Sequence, residues 1–386
     1  MTSRIKPGSR SAIRPFLAME MVREAAKLEA QGFKVVRFDV GQPFEGPGPK
    51  TLAAAAQAMA AGRTGYTEGL GMRPLRAAIA GWYGRRYGVS VAPDQIAITA
   101  GASGAFLLAF LALFATGDRV AMAAPGYPPY RHILTSLGLE AAIAQASLDD
   151  HRQLTPQHLA CLGPIAGALI ASPANPTGAM LDQSHLASLA MACRDRGIPL
   201  ISDEIYHGLS YGRDCTTALA VDPDAIVVNS FSKYWAMTGW RVGWIVAPQS
   251  IIPAIERLSQ NLFICPPAIA QEAALGALDE DEPAQARLAV YAANRALLLE
   301  ALPRLGLSLA APADGAFYLL LDISDHSQNS LEFCRRALHQ AQVSMTPGVD
   351  FCETDGHRWV RIAYARRTDE VKEGIGRLAA WIDAGM

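Results

Sequence analysis

Residues 230–241 read SFSKYWAMTGWR, and Lys233 within this stretch is the only lysine between Thr51 and Val371. Only six of the 34 lysines and arginines in the chain are lysines, so a chain that otherwise uses arginine keeps an amine here. Surface charge does not require that choice. Imine formation does, because a guanidinium stays protonated and is a weak nucleophile. The pattern predicts that Lys233 is a chemically reactive amine.

The stretch around Lys233 follows one of several short apolar runs that alternate with turns and helical segments between about residues 90 and 250. These runs are continuously apolar, as expected of strands that are buried on both faces. We predict strands at Gln95–Thr99, Arg119–Ala123, Ala166–Ala171, Leu200–Asp203, Ala225–Ser230 and Val242–Ala247. Helical segments such as 101–114 and 183–196 lie between several of them. The order predicts an α/β fold with a mostly parallel sheet covered by helices on both faces.

Beyond about residue 284 the pattern changes to a smaller α+β domain. A long helical pattern at about 284–302 precedes an apolar strand that begins near Tyr318, a helix near 330–341 and a strand at Trp359–Tyr364. With 386 residues, the chain is too long for one compact core of ordinary domain size. We predict an N-terminal arm and part of the small domain at 1–45, a large domain at 46–283 and a small C-terminal domain at 284–386.

Composition and charge exclude several classes of protein. The net charge of −2 and the 18% of charged residues give no electrostatic reason to expect nucleic acid as a partner. The longest apolar run, Ala105–Ala115, has 11 residues, and a membrane span needs about 20. Six scattered cysteines without a CxxC pair are typical of reduced thiols in a cytoplasmic protein. Residues 1–19 are basic and loosely resemble a transit peptide, but a solvated arm is the prediction we adopt.

Three short motifs suggest other chemistries, and each of them is incomplete. The segment Gly101–Ala105 suggests a nucleophile elbow, but the required final glycine is Ala105. The pair Gly69 and Gly71 lacks the third glycine of a dinucleotide fingerprint, since Pro74 stands there. The histidines form no helical metal-binding pair. We therefore predict no hydrolase, dehydrogenase or metal site.

Residues 230–241 resemble the cofactor-lysine signature of fold-type I enzymes that use pyridoxal phosphate (PLP), and more narrowly the class I/II, aspartate aminotransferase-like family. Seven further family motifs occur in the family's order, which makes the resemblance specific and extends it over nearly the whole chain. They are Gln42-Pro43, Tyr66, Ala102-Ser103, Pro125-Gly126-Tyr127-Pro128, Asn175-Pro176-Thr177-Gly178, Asp203-Glu204-Ile205-Tyr206 and Arg361. The resemblance implies a fold-type I transferase with a large and a small domain, carrying PLP as a Schiff base on Lys233.

Four residues of the resemblance concern the reactive part of the cofactor. Lys233 supplies the imine amine and, once substrate displaces it, can shuttle the α-proton. Asp203 ends an apolar strand, where a buried carboxylate needs a partner, and a pyridinium nitrogen would be one; helix capping is the alternative. In the family, residues matching Asn175 and Tyr206 donate to the phenolic oxygen of the ring, although Asn175 also suits an ordinary turn.

The phosphate of the cofactor needs a cation and convergent donors. Ala102 and Ser103 open a helix directly after a strand, so their amides can face an anion, although Ser103 could simply cap the helix. The resemblance adds Ser230 and Arg241 as phosphate ligands. It implies that Tyr66 reaches the phosphate of a neighbouring subunit, so that the active sites of a homodimer are shared.

The resemblance also assigns a ring-stacking residue and three substrate ligands. Tyr127 matches the aromatic residue that stacks on the cofactor, although packing would be its commoner role. Arg361 lies in a strand pattern that puts it on one face with Trp359 and Ala363, and in the family its counterpart grips the substrate α-carboxylate; an internal salt bridge is the alternative. Gly41 and Asn175 are the other expected substrate-binding residues.

We therefore predict an aminotransferase that moves an amino group between an α-amino acid and a 2-oxo acid by a ping-pong mechanism. The same scaffold also serves β-eliminating lyases and cyclopropane-forming synthases, which stay open as alternatives. A PLP-binding regulator without catalysis is disfavoured, because no basic DNA-binding module precedes the core. We identify no second cation for a dicarboxylic substrate. Phe16, Trp240 and Tyr318 could form an apolar or aromatic pocket.

Overall fold

A seven-stranded sheet occupies the middle of the chain in the computed structural model, which describes residues 5–386. Residues 1–4 of the predicted N-terminal arm lie outside the described residues. The strands are β1 (Val36–Arg37), β2 (Ile96–Thr99), β3 (Arg119–Ala124), β4 (Glu140–Gln145), β5 (Gly167–Ala171), β6 (Leu200–Asp203), β7 (Ile226–Ser230), β8 (Gly243–Val246), β9 (Ser308–Leu309), β10 (Tyr318–Asp322), β11 (Val343–Ser344), β12 (Thr346–Pro347) and β13 (Trp359–Ala363).

Helices precede, follow and separate these strands. The α-helices are α1 (Leu17–Ala30), α2 (Pro49–Ala60), α3 (Arg73–Tyr87), α4 (Gly101–Leu113), α5 (Pro128–Leu137), α6 (Pro156–Cys161), α7 (Gln183–Asp195), α8 (Ile252–Leu262), α9 (Ala268–Leu278), α10 (Glu282–Ala301), α11 (Ser330–Arg336) and α12 (Thr368–Asp383). The helix expected near 330–341 is α11 followed by a π-helical turn at Ala337–Ala341. In the part of the chain that the structure describes, none of the helices is long and apolar enough to cross a membrane.

The large sheet has the order β2-β8-β7-β6-β5-β3-β4, and only β8 runs antiparallel to its neighbours. This confirms the predicted α/β fold with a mostly parallel sheet. Asp203 at the end of β6 lies between Ala171 of β5 and Val228 of β7. The carboxyl ends of β5, β6 and β7 are therefore neighbours, and ligands of open α/β sheets bind at such an edge.

The edge strand β4 is absent from the predicted strands. It pairs in parallel with β3 over six residues, from Arg119 opposite Glu140 to Ala124 opposite Gln145. Its sequence, EAAIAQ, has three alanines and only one β-branched residue, an isoleucine. It therefore lacks the β-branched run that signals a strand. Pairing with β3 fixes this segment, and its own propensity does not.

Two smaller sheets involve the C-terminal part of the chain. One is antiparallel with the order β12-β13-β10-β9, and the other is the parallel pair of β1 and β11, which ties the N-terminal segment to residues 343–344. Leu320 of β10 pairs with Arg361 of β13, so this sheet positions one predicted substrate ligand. The predicted domain boundaries after residues 45 and 283 stay predictions.

Aromatic side chains pack directly behind the Lys233 stretch. The Phe231 ring lies 4.9 Å from the Trp235 ring and 5.0 Å from the Trp244 ring, measured between centroids. All three side chains are buried. Interlocking aromatic rings are a rigid support, so the residues on either side of Lys233 hold its backbone in place.

Candidate active site

A cavity of about 220 Å³ lies where β5, β6 and β7 end, and most of the predicted site residues line it. Helix α1, helix α5 and the segment around Gly41 form its other walls. The predicted residues that line it are Gly41, Ala102, Ser103, Tyr127, Asn175, Asp203, Tyr206, Lys233, Arg241 and Arg361. Ser230 and Tyr66 do not line it.

Lys233 lies three residues after the end of β7, and its amine enters the cavity. Its Nζ donates a hydrogen bond to the carbonyl oxygen of Gly41 at 2.7 Å. Removal from water, together with the positive charges of Arg361 and Arg241, lowers the pKa of the Lys233 amine to about 8; Asp203 opposes this shift. The neutral amine, which is the nucleophilic form, is therefore more abundant near neutral pH than in a solvent-exposed lysine.

Asp203 is buried at the end of β6, and its two carboxylate oxygens have separate donors. Oδ1 accepts from the backbone amide of Ile205 at 3.0 Å, and Oδ2 accepts from the hydroxyl of Tyr130. Burial raises the pKa of Asp203 to about 6, against the opposite effects of Tyr130, the Ile205 amide and Lys233. Among the described residues no cation lies within ion-pair distance of this carboxylate. A buried charge without a counterion is costly, so the carboxylate is suited to a positively charged group bound in the cavity.

Tyr206 and Tyr318 meet across the cavity beside Gly41. Their hydroxyl oxygens are 2.8 Å apart. A Cβ atom on residue 41 would lie 1.7 Å from the hydroxyl oxygen of Tyr318, so only glycine leaves this ring in place. Gly41 thus has two roles. Its missing side chain leaves room for Tyr318, and its carbonyl oxygen accepts a hydrogen bond from Lys233.

The beginning of α4 and Arg241 face the same end of the cavity. Gly101 starts the helix with a φ of 73°, in the left-handed region that favours glycine. A Cβ there would lie 2.4 Å from Nη2 of Arg241, so the missing side chain also makes room for the guanidinium. Ala102 and Ser103 come next in the first turn. A guanidinium beside the N-terminal amides of a helix is a favourable place for an anion.

Ser230 does not line the cavity, and its expected contact with the phosphate stays a prediction. Its hydroxyl is fully buried, donates to the carbonyl oxygen of Val242 at 3.0 Å and lies 2.9 Å from the Ser232 hydroxyl oxygen. It also accepts from the Ser232 amide at 3.1 Å. Ser232, and not Ser230, lines the cavity. The two serines are two residues apart, their hydroxyl oxygens are within hydrogen-bond distance of each other, and the motif alone does not distinguish them.

Arg361 is buried in β13 and bonded only to neutral groups. Its Nη1 donates to Asn175 Oδ1 at 2.9 Å, and its Nη2 donates to Thr346 Oγ1 at 3.1 Å and to the carbonyl oxygen of Asp39. Its Nε has no hydrogen-bond partner. Within residues 5–386 no carboxylate lies within 4 Å of this guanidinium, so the alternative of an internal salt bridge is wrong. A buried cation without a counterion is suited to an incoming carboxylate.

Apolar side chains from α1, its preceding residue and α5 form one part of the cavity lining, the apolar wall. We use this name for Phe16, Met19, Val22 and Ile133, which all line the cavity. Phe16 also packs edge-on against Tyr127 with ring centroids 6.0 Å apart. Of the three residues predicted for an apolar or aromatic pocket, Phe16 and Tyr318 line this cavity. The third, Trp240, lies at a neighbouring cleft with residues 42–47.

Tyr66 is 83% exposed and lies outside the cavity of its own chain. Its expected contact with the phosphate of a neighbouring subunit stays a prediction. For metals, no group of three or more His, Cys, Asp or Glu side chains in residues 5–386 could hold an ion.

Comparison with known families and proteins points to one class of enzyme. Residues 34–378 match the family model for aminotransferase class I and II. A curated relative from Mycobacterium tuberculosis, valine–pyruvate aminotransferase, is 43% identical over 387 residues, covering 99% of this chain and 99% of the relative. The match therefore extends over the cavity residues and over both parts of the chain.

Solved structures agree with the described fold. The crystal structure of an aminotransferase from Mycobacterium tuberculosis superposes with a TM-score of 0.96 at 42% identity, covering 98% of this chain and 100% of the other. Aspartate aminotransferase from Thermus thermophilus with maleate has a TM-score of 0.91 at 30% identity, covering 97% and 99%. The similarity includes the central sheet and the smaller C-terminal sheet.

Proposed function

The chain belongs to the class I and II aminotransferases, and from this membership we propose that it uses PLP on Lys233 to move an amino group from an α-amino acid to a 2-oxo acid. The observation that carries the proposal is the set of unpaired charges in one cavity. Asp203 has no cation beside it, Arg361 has no anion beside it, and the Lys233 amine has its pKa lowered to about 8.

The residues of the cavity fit the cofactor at each of its polar parts. The N-terminus of α4 and Arg241, for which Gly101 leaves room, would hold the phosphate. The buried Asp203 would hold the ring nitrogen, and Asn175 and Tyr206 offer donors to the phenolic oxygen. Ser232 offers a further hydroxyl on this side of the cavity, next to the predicted ligand Ser230. When bound, PLP supplies an aldehyde for the amine and a ring that withdraws electrons from the α-carbon of the amino acid.

The side chains of this protein would do the remaining work. The ionised Asp203 keeps a positive charge on its partner in the ring, and Tyr130 keeps Asp203 ionised by donating to Oδ2. The neutral Lys233 amine would take the α-proton and later return it, acting as a general base and then as a general acid. Arg361 holds the α-carboxylate with two nitrogens and so orients the Cα–H bond.

The apolar wall supports an uncharged, branched or aromatic side chain in the substrate. Lys233, Arg241 and Arg361 are the lysine and arginine side chains that line the cavity among the described residues. Each of them already has a role in the proposal, which leaves no further cation for a second substrate carboxylate. The relative from Mycobacterium tuberculosis is named for valine and pyruvate. We propose that this protein likewise uses an apolar amino acid as its amino donor.

We further propose a homodimer with shared active sites, supported by the exposure of Tyr66. Transfer would be ping-pong, because the same Lys233 and Arg361 must serve first the amino acid and then the 2-oxo acid. A cytoplasmic location is supported by the six cysteines, all unpaired.

A panel of amino donors tests the function. Purified protein with PLP is mixed with single amino acids and either pyruvate or 2-oxoglutarate, and both products are measured. We expect one new amino acid and one new 2-oxo acid in equal amounts, with apolar donors preferred. Release of ammonia without formation of a new amino acid would instead favour an eliminating lyase and contradict the proposal.

A further inference from the structure

Asp350 lies where the apolar wall meets the structure that carries Arg361. It follows β12 in the turn Gly348–Asp350 and is buried. Thr346 of β12 pairs with Arg361 of β13, so Asp350 is four residues from the neighbour of the expected carboxylate ligand. The cavity itself does not include Asp350, and none of the roles proposed above uses it.

The Asp350 carboxylate binds the first turn of α1. Its Oδ1 accepts from the Leu17 amide at 3.2 Å, and its Oδ2 accepts from the Ala18 amide at 3.0 Å. The residue that precedes the helix, Phe16, provides no side-chain cap. Asp350 therefore satisfies amides that a helix start would otherwise leave without partners, and its negative charge suits the positive end of the helix dipole.

The backbone around Asp350 binds two further walls of the cavity. Nη2 of Arg131, on α5, donates to the Asp350 carbonyl oxygen at 2.6 Å. The carbonyl oxygen of Phe351 accepts from the Gly126 amide at 3.1 Å, next to Tyr127. The Phe351 ring lies 4.9 Å from the Arg361 guanidinium carbon. Two consecutive residues thus contact α1, α5, the Tyr127 loop and Arg361.

The turn that carries Asp350 has little freedom to move. A Cβ on Gly348 would lie 2.5 Å from the carbonyl oxygen of Trp359 and 2.6 Å from that of Gly356, so the turn packs tightly against the start of β13. The position of the Asp350 carboxylate therefore follows the position of the strand that holds Arg361.

We propose that Asp350 is a positioning residue that sets the distance between the carboxylate ligand Arg361 and the apolar wall, and thereby selects the size of the apolar substrate side chain. The inference rests on the proposed function, since it assumes that Arg361 holds the α-carboxylate. The side chain of an amino acid whose carboxylate binds Arg361 must extend towards α1. The position of α1 is fixed by its hydrogen bonds to Asp350. If α1 is held less firmly, substrate side chains that reach the apolar wall bury less apolar surface and bind more weakly. Alanine is too short to reach the wall, so its binding should hardly change.

The test compares Asp350→Ala and Asp350→Asn with Glu353→Gln in PLP-loaded protein. Glu353 is a matched control, because it is three residues away and forms an exposed ion pair with Arg14 at 2.7 Å. We measure kcat/KM for valine and alanine, and hydrogen–deuterium exchange in residues 16–30. In Asp350→Ala we expect faster exchange in α1 and a fall of about tenfold in the valine-to-alanine ratio, from lost burial of two carbon groups. Asp350→Asn, which keeps one acceptor, should lie between, and Glu353→Gln should match wild type.

Each outcome decides between this inference and the proposed function. Unchanged exchange in α1, or faster exchange with an unchanged ratio, overturns the role of Asp350. A wild-type protein that transfers no amino group from any amino acid refutes the proposed function, and this inference with it. If neither Asp350 variant folds, Met19→Ala and Val22→Ala test the wall directly. An unchanged valine-to-alanine ratio in both would then overturn the inference.

Discussion

The Tyr130 hydroxyl donates a hydrogen bond to Oδ2 of Asp203, and both side chains are buried beside the cavity. This bond stabilises the ionised carboxylate against the effect of burial, which raises the pKa of Asp203 to about 6 even with the bond present. The ionised form is the one that can hold a positive ring nitrogen. In the proposed function, Tyr130 therefore acts on the cofactor through Asp203.

We expect Tyr130→Phe to weaken cofactor binding at acidic and neutral pH. Without the hydroxyl, the pKa of Asp203 rises further, so the carboxylate is ionised only at higher pH. Because a hydrogen bond to a charged group contributes about 1.5–3 kcal/mol, the acid limb should move upwards by about 1–2 pH units. The measurement is the dissociation constant of PLP between pH 5 and 8 in both proteins. Identical profiles would show that Tyr130 has no effect on Asp203.

Gly41→Ala should disrupt the site although it adds only one methyl group. The new Cβ would lie 1.7 Å from the Tyr318 hydroxyl oxygen, so the ring must move and its 2.8 Å contact with Tyr206 is lost. Displacing groups at a reacting centre by about 1 Å can lower the rate about 100-fold. Gly46→Ala is the control, because nothing lies within 4 Å of a Cβ there. Equal kcat/KM for the two variants would rule out the importance of this contact.

Arg361→Lys should lower kcat/KM for every amino acid tested. A lysine ammonium attracts the carboxylate but cannot orient it with two parallel hydrogen bonds. The substitution also removes the hydrogen bonds of the guanidinium to Asn175 and Thr346. We expect a loss of about 2–4 kcal/mol in transition-state stabilisation, as for a desolvated charge pair that loses its partner. Steady-state kinetics measure this loss. Amines without a carboxylate serve as the control, and their turnover should not change. An unchanged kcat/KM for amino acids would exclude the role of Arg361.

Tyr66 and Lys233 should complement each other between subunits. Lys233→Ala subunits mixed with an impaired Tyr66 variant should form hybrid dimers, in which one site has an intact Lys233 and an intact Tyr66 from the other chain. Activity should partly recover as hybrids form, and cofactor should strengthen dimerisation because the two equilibria are linked. Hybrids that demonstrably form without any recovery would place Tyr66 outside the partner's site.

The sequence predicts the parts of this site that depend on local order. The family motifs point to Asp203 and Arg361, and local order agrees, because Asp203 ends an apolar strand and an arginine in such a strand needs an anion. Tyr130 was missed, since a tyrosine in α5 usually packs in a core and its bond joins residues 73 positions apart. The bond of Asp350 to Ala18 joins residues 332 positions apart. Tertiary packing creates both contacts, and neither has a local pattern.

Ser230 and β4 illustrate two further limits. Both Ser230 and Ser232 lie within one short motif, and the motif does not show that Ser232 lines the cavity whereas the Ser230 hydroxyl donates to the carbonyl oxygen of Val242. In β4 the alanine-rich sequence has little strand propensity, and the backbone bonds with β3 determine its conformation. Such features follow from neighbours distant in sequence.

The Lys233 amine should capture PLP covalently in a strongly pH-dependent way. The neutral amine reacts, and its fraction rises as the pH increases through its pKa, which the site lowers from 10.5 to about 8. Capture by the cofactor-free protein should therefore reach half of its maximal rate near pH 8. Absorbance changes after mixing measure the rate. A midpoint near the ordinary lysine pKa of 10.5 would show that the amine is not perturbed.

Borohydride reduction of the PLP-loaded protein, followed by peptide mapping, is the most direct measurement of this chemistry. We expect one stable phosphopyridoxyl group per chain, on Lys233, and none on Lys233→Ala protein treated in the same way. An adduct on Lys34, Lys50 or another lysine, or no adduct in protein that is demonstrably folded and supplied with PLP, would contradict the assignment of Lys233 as the cofactor lysine.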